Sequence, residues 1–326
     1  MQYTKIFGID KEVSRVALGT WAIGGWMWGG TDEDLSVRTI HAALDKGINV
    51  IDTAPVYGFG RSEKIVGKAL KEYGGREGIV LATKAGLEWN EDKIRRNSSR
   101  ERIRKEIEDS LQRLKTDYLD LYQIHWPDSR VPFEDTAGEL EKLKAEGKIR
   151  AAGVSNFSPE QMEAFLKGGE LVSNQPPYNL FERSIEEDVL PYCQKKGIAL
   201  FTYGALCRGL LSGGMKRDRR FEGDDLRRID PKFQEPRFES YLKAVEHLDE
   251  YAREAFGKRI LHLAVRWILD QGIDVALWGA RQPEQIDPLP AIMDFCLSDD
   301  DKKKVDWILQ EWITDPVGPE FMAPPL

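Results

Sequence analysis

Asp52, Tyr57, Lys84 and His125 carry side chains that can act together on one polar bond. Asp52 ends an apolar run in N-V-I-D-T-A, Lys84 ends V-L-A-T-K, His125 ends L-Y-Q-I-H-W, and Tyr57 follows Asp52 by five positions. Each alone has an ordinary reading: an aspartate after a strand caps a helix, and a lone histidine is usually structural. Taken together they are harder to dismiss, because a lysine ending an apolar strand is costly to bury unless a carboxylate pairs with it. Asp52 is the evident partner. A tyrosine hydroxyl, with a pKa near about 10, is a poor proton donor at neutral pH, and a neighbouring ammonium favours its anion. Lys84 is therefore expected to lower the pKa of Tyr57. With His125 as a hydrogen-bond donor, the set suits protonation of a carbonyl oxygen that becomes an alkoxide. No nucleophile or metal cluster accompanies it. The missing reactant is a hydride, which no side chain supplies, so the chemistry requires a nicotinamide cofactor.

These residues must be carried by elements that converge. Short β-branched runs predict strands near Val16–Gly19, Val50–Asp52, Val80–Lys84, Leu119–His125, Ile149–Ser155, Leu171–Asn174, Ile198–Tyr203 and Val275–Trp278. Helical periodicity lies between them, over Asp32–Lys46, Ser62–Lys71, Ser99–Leu114, Glu134–Glu146, Ser158–Lys167 and Glu186–Lys196. A pair follows within Glu239–Gln271, then Ser298–Gln310. Ser158, Pro159 and Gln161 form a helix-start signature, and Gly47, Gly147 and Gly197 stand where helices should stop. Alternating strands and helices predict an α/β fold, a (β/α)8 TIM barrel, with a doubly wound sheet as runner-up. The barrel is preferred partly because no G-x-G-x-x-G follows the first strand. Tyr3–Ile6 and Glu12–Arg15 suggest an N-terminal β-hairpin cap closing the barrel bottom, and extra C-terminal helices complete one domain over 1–326. The Arg-rich stretch Cys207–Arg237 reads as a functional loop, and the Pro-rich tail from Thr314 as a surface segment.

Composition narrows the partners. The chain has 326 residues, 47 Lys+Arg against 55 Asp+Glu and a net charge of −8, which disfavours nucleic acid and anionic membranes and favours a small molecule. Cys193, Cys207 and Cys296 form neither a disulfide framework nor a zinc pattern, and Met1–Asp10 lacks leader features, so a cytoplasmic location is expected. The lack of an obvious exposed apolar helix favours a monomer.

D-T-A-P-V-Y-G at Asp52–Gly58, A-T-K at Lys84, Q-I-H-W-P around His125 and G-V-S-N-F at Gly153–Phe157 resemble the aldo-keto reductases. G-T-W-A-I-G-G at Gly19–Gly25, Q-P-P-Y-N-L-F-E-R from Gln175, L-C-R-G-L-L from Leu206 and D-P-V-G-P-E-F-M-A-P-P from Asp315 are similar to one branch, the bacterial general stress protein reductases of the Bacillus type. The resemblance implies reduction of aldehydes or ketones with NADPH, Tyr57 as general acid, Lys84 and Asp52 as its tuning pair, and His125 orienting the carbonyl. It places Gly19, Thr20, Trp21 and Asp52 beside the cofactor, Ser155, Asn156 and Gln175 on the nicotinamide carboxamide, and the Tyr203 ring under the nicotinamide. Gly204, Leu206, Arg208, Gly209 and Leu210 would follow the pyrophosphate, with Arg208 giving charge-assisted bonds. Gly279, Ala280 and Arg281 would receive the 2′-phosphate, and Gln285 the adenosine. The resemblance implies that the family's loop lysine contact to the cofactor phosphate is either displaced here to Lys216 or lost, and that Arg227 is the favoured further cation of the loop on the cofactor. Trp21, Trp28 and Trp126, with Tyr57 and His125, are expected to wall the substrate. A metal is not expected.

Two other readings compete. Some proteins of this resemblance are channel subunits that sense cofactor with little turnover; the acidic balance and the lack of an added N-terminal segment argue against this. A Schiff-base aldolase would use Lys84 as nucleophile, but pairing with Asp52 favours the non-nucleophilic ammonium.

Overall fold

The computed structural model describes residues 1–90 and 93–326. Its chain opens with a hairpin of β1 (Tyr3–Lys5) and β2 (Glu12–Ser14). The barrel strands β3 (Val16–Gly19), β4 (Val50–Asp52) and β5 (Val80–Ala85) follow. Next come a second hairpin, β6 (Leu87–Asn90) and β7 (Lys93–Arg96), and the strands β8 (Leu119–Ile124), β9 (Ile149–Ser155), β10 (Ser173–Gln175), β11 (Ala199–Thr202) and β12 (Val275–Gly279). The eight barrel strands run parallel and close in the order β10-β11-β12-β3-β4-β5-β8-β9. The expected (β/α)8 TIM barrel is thus the fold.

Side-chain parity explains how the strands are filled. Along β3, β4, β5 and β8, Val16, Leu18, Ile51, Leu81 and Tyr122 face the surrounding helices, whereas Ala17, Val50, Val80, Ala82 and Leu121 fill the barrel interior. Continuing the inward parity places Asp52, Lys84 and Gln123 at the upper rim. The first hairpin covers the opposite end, and Ile6, Ile9 and Val13 pack into the interior cluster as the expected bottom cap.

Ten α-helices are formed among the described residues, beginning with a single turn, α1 (Trp21–Gly24), and then α2 (Glu33–Asp45), α3 (Arg61–Tyr73), α4 (Arg100–Leu114) and α5 (Phe133–Ala145). They continue with α6 (Pro159–Phe165), α7 (Val189–Lys196), α8 (Arg237–Phe256), α9 (Ile260–Asp270) and α10 (Asp299–Trp312). Ser158 and Gln161 make the expected reciprocal cap on α6, with Pro159 first in the helix. Helix α7 ends at Gly197, whose φ of 70° is left-handed, a conformation that costs a side-chain-bearing residue.

Three elements differ from the expected pattern. β10 begins at Ser173 and includes Gln175, because Leu171 and Val172 act as the strand's approach rather than its body. The hairpin β6–β7 arises from K-I-R-R pairing back on L-E-W-N, a polar pair whose weak alternation concealed it. The C-terminal segment does not simply cross the surface. It folds over the top of the barrel, where Pro324 and Pro325 carbonyls accept from Arg96 at 2.9 and 3.0 Å, and Gly318 accepts from Lys232 at 3.1 Å. No helix among the described residues is long and apolar enough to cross a membrane.

Candidate active site

The C-terminal ends of the strands surround a cavity of about 970 Å³. At its floor Lys84 is fully buried, with Nζ 2.6 Å from Asp52 Oδ1, 3.0 Å from the Thr53 carbonyl and 3.3 Å from the Tyr57 hydroxyl. The ammonium is therefore satisfied on one side by a carboxylate and on the other by the phenol. His125 closes the group, its ring edge-on to Tyr57 with centroids 5.7 Å apart.

Tyr57 is held by two loops in contact. A Cβ at Gly58 would lie 2.2 Å from the Gly24 carbonyl oxygen, so only glycine lets the loop after β4 meet the loop after β3. That approach lays Trp21 on Tyr57, centroids 6.0 Å apart and planes inclined 24°, and Trp28 stands edge-on to Trp21 at 5.6 Å.

The electrostatics correct one expectation. Tyr57 is raised well above its ordinary pKa, by burial first and by Asp52 second, rather than lowered by Lys84. The hydroxyl thus keeps its proton at neutral pH, and the ammonium 3.3 Å away offsets the charge left when the proton departs. Lys84 is lowered by burial, with Asp52 opposing that loss. Burial, then the Lys84 charge, holds His125 well below the usual imidazole range, which makes it a neutral ring.

Above this floor the remaining expected residues divide. Gln175 donates from Nε2 to Asp52 Oδ2 at 2.9 Å, and Ser155 Oγ donates to the Gln175 carbonyl at 2.7 Å. Asn156, at a left-handed φ of 62°, donates to the His125 carbonyl at 3.0 Å and accepts from the Tyr203 hydroxyl at 3.0 Å, which fixes the Tyr203 ring. Thr20 donates to the Asp52 carbonyl at 2.9 Å, and Gly19 pairs with Asp52 and Gly279 across the sheet. Gly19, Thr20, Trp21, Asp52, Ser155, Asn156, Gln175, Tyr203, Gly204, Leu206, Gly209, Arg227, Gly279, Ala280, Arg281 and Gln285 all line the cavity. So do Trp28, Tyr57, His125 and Trp126.

Three residues stand elsewhere than expected. Leu210 is wholly buried in the outer core and takes no part in the lining, because the turn directs it toward the helices. Lys216 is exposed beyond the cavity, beside Arg219 and Arg220 in a shallow depression. Arg208 reaches the cavity wall, but its guanidinium is turned into a buried cluster with Glu182 and Asp230, joined by Lys232 at 2.8 Å from Glu182. Burial alone would raise Glu182; Arg208 and Lys232 hold it at about 2. These ion pairs secure Cys207 and Arg208 in left-handed backbone at φ 44° and 54°, strain of about 1–3 kcal/mol each. The charge of Arg208 is thus committed to shaping the turn. Burial pushes the neighbouring Cys207 thiol up to about 12, so it is no reactive thiolate.

Sequence reading missed several lining residues. Phe321, Met322, Pro324 and Pro325 wall the mouth, and Leu87 and Ile94 bring the second hairpin to it. Gln123, fully buried, donates to Asp52 Oδ2 at 3.3 Å. Its position two residues before His125, at inward parity, was the available signal. Trp89 packs on Phe59 at 5.7 Å, behind the wall. Arg227 pairs with Asp225, and Arg281 donates to the Trp28 carbonyl at 2.8 Å, tying the loop after β12 to the loop after β3.

This lining suits a nicotinamide dinucleotide. Tyr203 offers a ring fixed in place, Gln175 offers Oε1 as an acceptor, and at Gly279 no atom of the other described residues lies within 4 Å of where a Cβ would stand. Arg219 and Arg281 supply positive charge along the same wall. Among the described residues no group of His, Cys, Asp and Glu is placed to hold a metal.

Residues 15–310 match the aldo/keto reductase family. The chain is 58% identical over 326 residues to the aldo-keto reductase YhdN of Bacillus subtilis, covering 100% of this chain and 98% of that one. The glycerol dehydrogenase AKR11B4 of Gluconobacter oxydans superposes with a TM-score of 0.90 at 55% identity, over 98% of this chain and 99% of its own. An aldo/keto reductase of Klebsiella pneumoniae in complex with NADP and acetate superposes at 0.69 with 28% identity, over 94% of each. Barrel, floor and full-length likeness agree: the chain belongs to the aldo/keto reductase family, and it is an NADP(H)-dependent oxidoreductase that reduces aldehydes or ketones to alcohols.

Proposed function

We propose that Tyr57 is the proton donor of this reduction, that Lys84 and Asp52 stabilise the phenolate it leaves, and that His125 orients the carbonyl oxygen. The observation that carries this reading is the Lys84 ammonium lying between Asp52 Oδ1 and the Tyr57 hydroxyl. Bound NADPH supplies a hydride to the carbonyl carbon. Tyr57 gives its proton to the carbonyl oxygen as that oxygen takes the electron pair of the C=O bond, and the neutral His125 ring donates a hydrogen bond to the same oxygen. Ser155, Asn156 and Gln175 hold the carboxamide, and Tyr203 packs against the nicotinamide. The turn Gly204–Gly209 faces the pyrophosphate with its backbone, Arg281 and Gln285 bind the adenosine end, and Gly279 leaves it room. Arg227 lines the same wall. Arg208 acts by holding the turn, and Lys216 and Leu210 have no direct contact.

The substrate side is walled by Trp21, Trp28, Trp126 and the C-terminal prolines, all of them uncharged side chains, so the substrate class is a neutral aldehyde or ketone. We assign the whole chain, 1–326, to one domain acting as a monomer. Steady-state oxidation of NADPH with 4-nitrobenzaldehyde, methylglyoxal and glyceraldehyde tests the reading. Multiple turnovers lost in Tyr57→Phe support it, and retained turnover in that variant removes Tyr57 as the acid.

A further inference from the structure

Asp52 uses its two oxygens for different things. Oδ1 accepts from Lys84 on the proton-donor side, while Oδ2 accepts from Gln175 at 2.9 Å and from Gln123 at 3.3 Å. The Gln175 nitrogen also lies 3.5 Å from Gln123 Oε1, which closes a ring of three buried side chains. A carboxylate only accepts hydrogen bonds, so both amides must turn their nitrogens toward Asp52. For Gln175, which lines the cavity, this leaves Oε1 as the atom presented to a ligand.

The barrel makes room for this ring. Gln123 pairs in register with Lys84 on one side and Gly153 on the other. A Cβ at Gly153 would stand 3.0 Å from Gln123 Cγ and 2.5 Å from Ser173 Oγ. The missing side chain in β9 is the space Gln123 occupies.

We propose that Asp52, besides pairing with Lys84, fixes the orientation of the Gln175 amide so that it accepts an N–H from the nicotinamide carboxamide, and that Gln123 is the positioning residue holding the two together. The proposal rests on the assignment of Gln175 to the carboxamide. Asp52 is then a shared acceptor through which the proton donor and the hydride donor are placed in one frame. Oε1 of Gln175 meets the carboxamide NH₂, and a methyl in that place leaves it without a partner.

The test compares equilibrium binding of NADP⁺ with that of its 3-acetylpyridine analogue, which replaces the amide NH₂ by a methyl group, by titration without substrate. The native protein is expected to prefer NADP⁺ by roughly tenfold, the loss of one hydrogen bond with its partner left unsatisfied. Lys84→Met should lose turnover and keep that ratio, because it leaves Oδ2 and Gln175 in place. Asp52→Asn should bring the ratio to within roughly threefold, because an amide at position 52 allows Gln175 to turn over. The double variant Asp52→Asn/Lys84→Met, which leaves no unpaired charge, should match Asp52→Asn. Gln123→Met and Gly153→Ala should give intermediate ratios. A full tenfold preference in the double variant overturns the role of Asp52 toward Gln175, and an unchanged ratio in both Gln123→Met and Gly153→Ala overturns that of Gln123. If Gln175→Leu binds both dinucleotides as the native protein does, the failure lies in the assignment of Gln175 itself.

Discussion

The Lys84 ammonium lies 3.3 Å from the Tyr57 hydroxyl and 5.1 Å from the centre of its ring, so the cation meets both the oxygen that loses a proton and the ring that shares the resulting charge. Burial that raises the Tyr57 pKa keeps the acid loaded, and the nearby ammonium limits the cost of unloading it. Tyr57→Phe removes the proton and leaves the walls in place. Its kcat should fall by roughly 10²–10⁴, with NADPH affinity unchanged by titration.

Lys84 and Asp52 form a buried pair, and breaking it should cost more than losing it whole. Lys84→Met leaves the Asp52 carboxylate in the interior without its cation and is expected to destabilise by about 3–5 kcal/mol. The double variant Asp52→Asn/Lys84→Met should recover much of that stability in urea unfolding, and none of the turnover. Additive destabilisation in the double variant would count against a coupled pair.

Arg281 bonds the Trp28 and Gly30 carbonyls as well as facing the cavity. In its proposed role at the adenosine end, as a contact to the 2′-phosphate, its replacement by alanine should raise the dissociation constant of NADPH by roughly 10–100-fold and barely alter that of NADH. An equal loss for both dinucleotides would instead mean that Arg281 acts through the loop it ties.

The tail is pinned by Arg96, whose Nε donates to the Pro324 carbonyl at 2.9 Å. Deleting residues 320–326 removes Phe321, Met322, Pro324 and Pro325 from the mouth. The KM for 4-nitrobenzaldehyde should rise by roughly tenfold, the worth of one or two buried apolar contacts, while NADPH affinity stays as it was. A shift in NADPH affinity instead would place the tail on the cofactor side.

Glu106 is pushed up to about 7 by burial, against the opposing pull of Arg102 and the Gly86 N–H. Its folded pKa lies above the unfolded value, so its contribution to stability is complete below about pH 4.5 and is lost as the pH rises through 7. Glu106→Gln lacks that titration. Relative to the variant, the native protein should lose up to about 3 kcal/mol between pH 5 and 8, measured by urea unfolding at each pH. A constant difference across that window would show that Glu106 does not titrate there.

Much of this architecture was legible in one dimension. Period-two alternation marks which side of a strand faces inward, and that rule alone carries Asp52 and Lys84 to the barrel rim, because both continue the inward parity of Val50, Val80 and Ala82. Helix ends were equally local, as at Ser158 and Gly197, where one or two side chains or a missing Cβ decide the backbone. Contacts across hundreds of residues were not local. Arg208 looked like a phosphate ligand because its neighbours are loop-like, yet Glu182 and Asp230 claim its charge, and only chain closure brings them together. The tail looked like surface because it is rich in proline, yet Arg96 and Lys232 draw its carbonyls over the mouth. The direction of the Tyr57 shift was also decided in three dimensions, since charge type can be read from a sequence but burial, the larger cause here, is a property of the packed barrel.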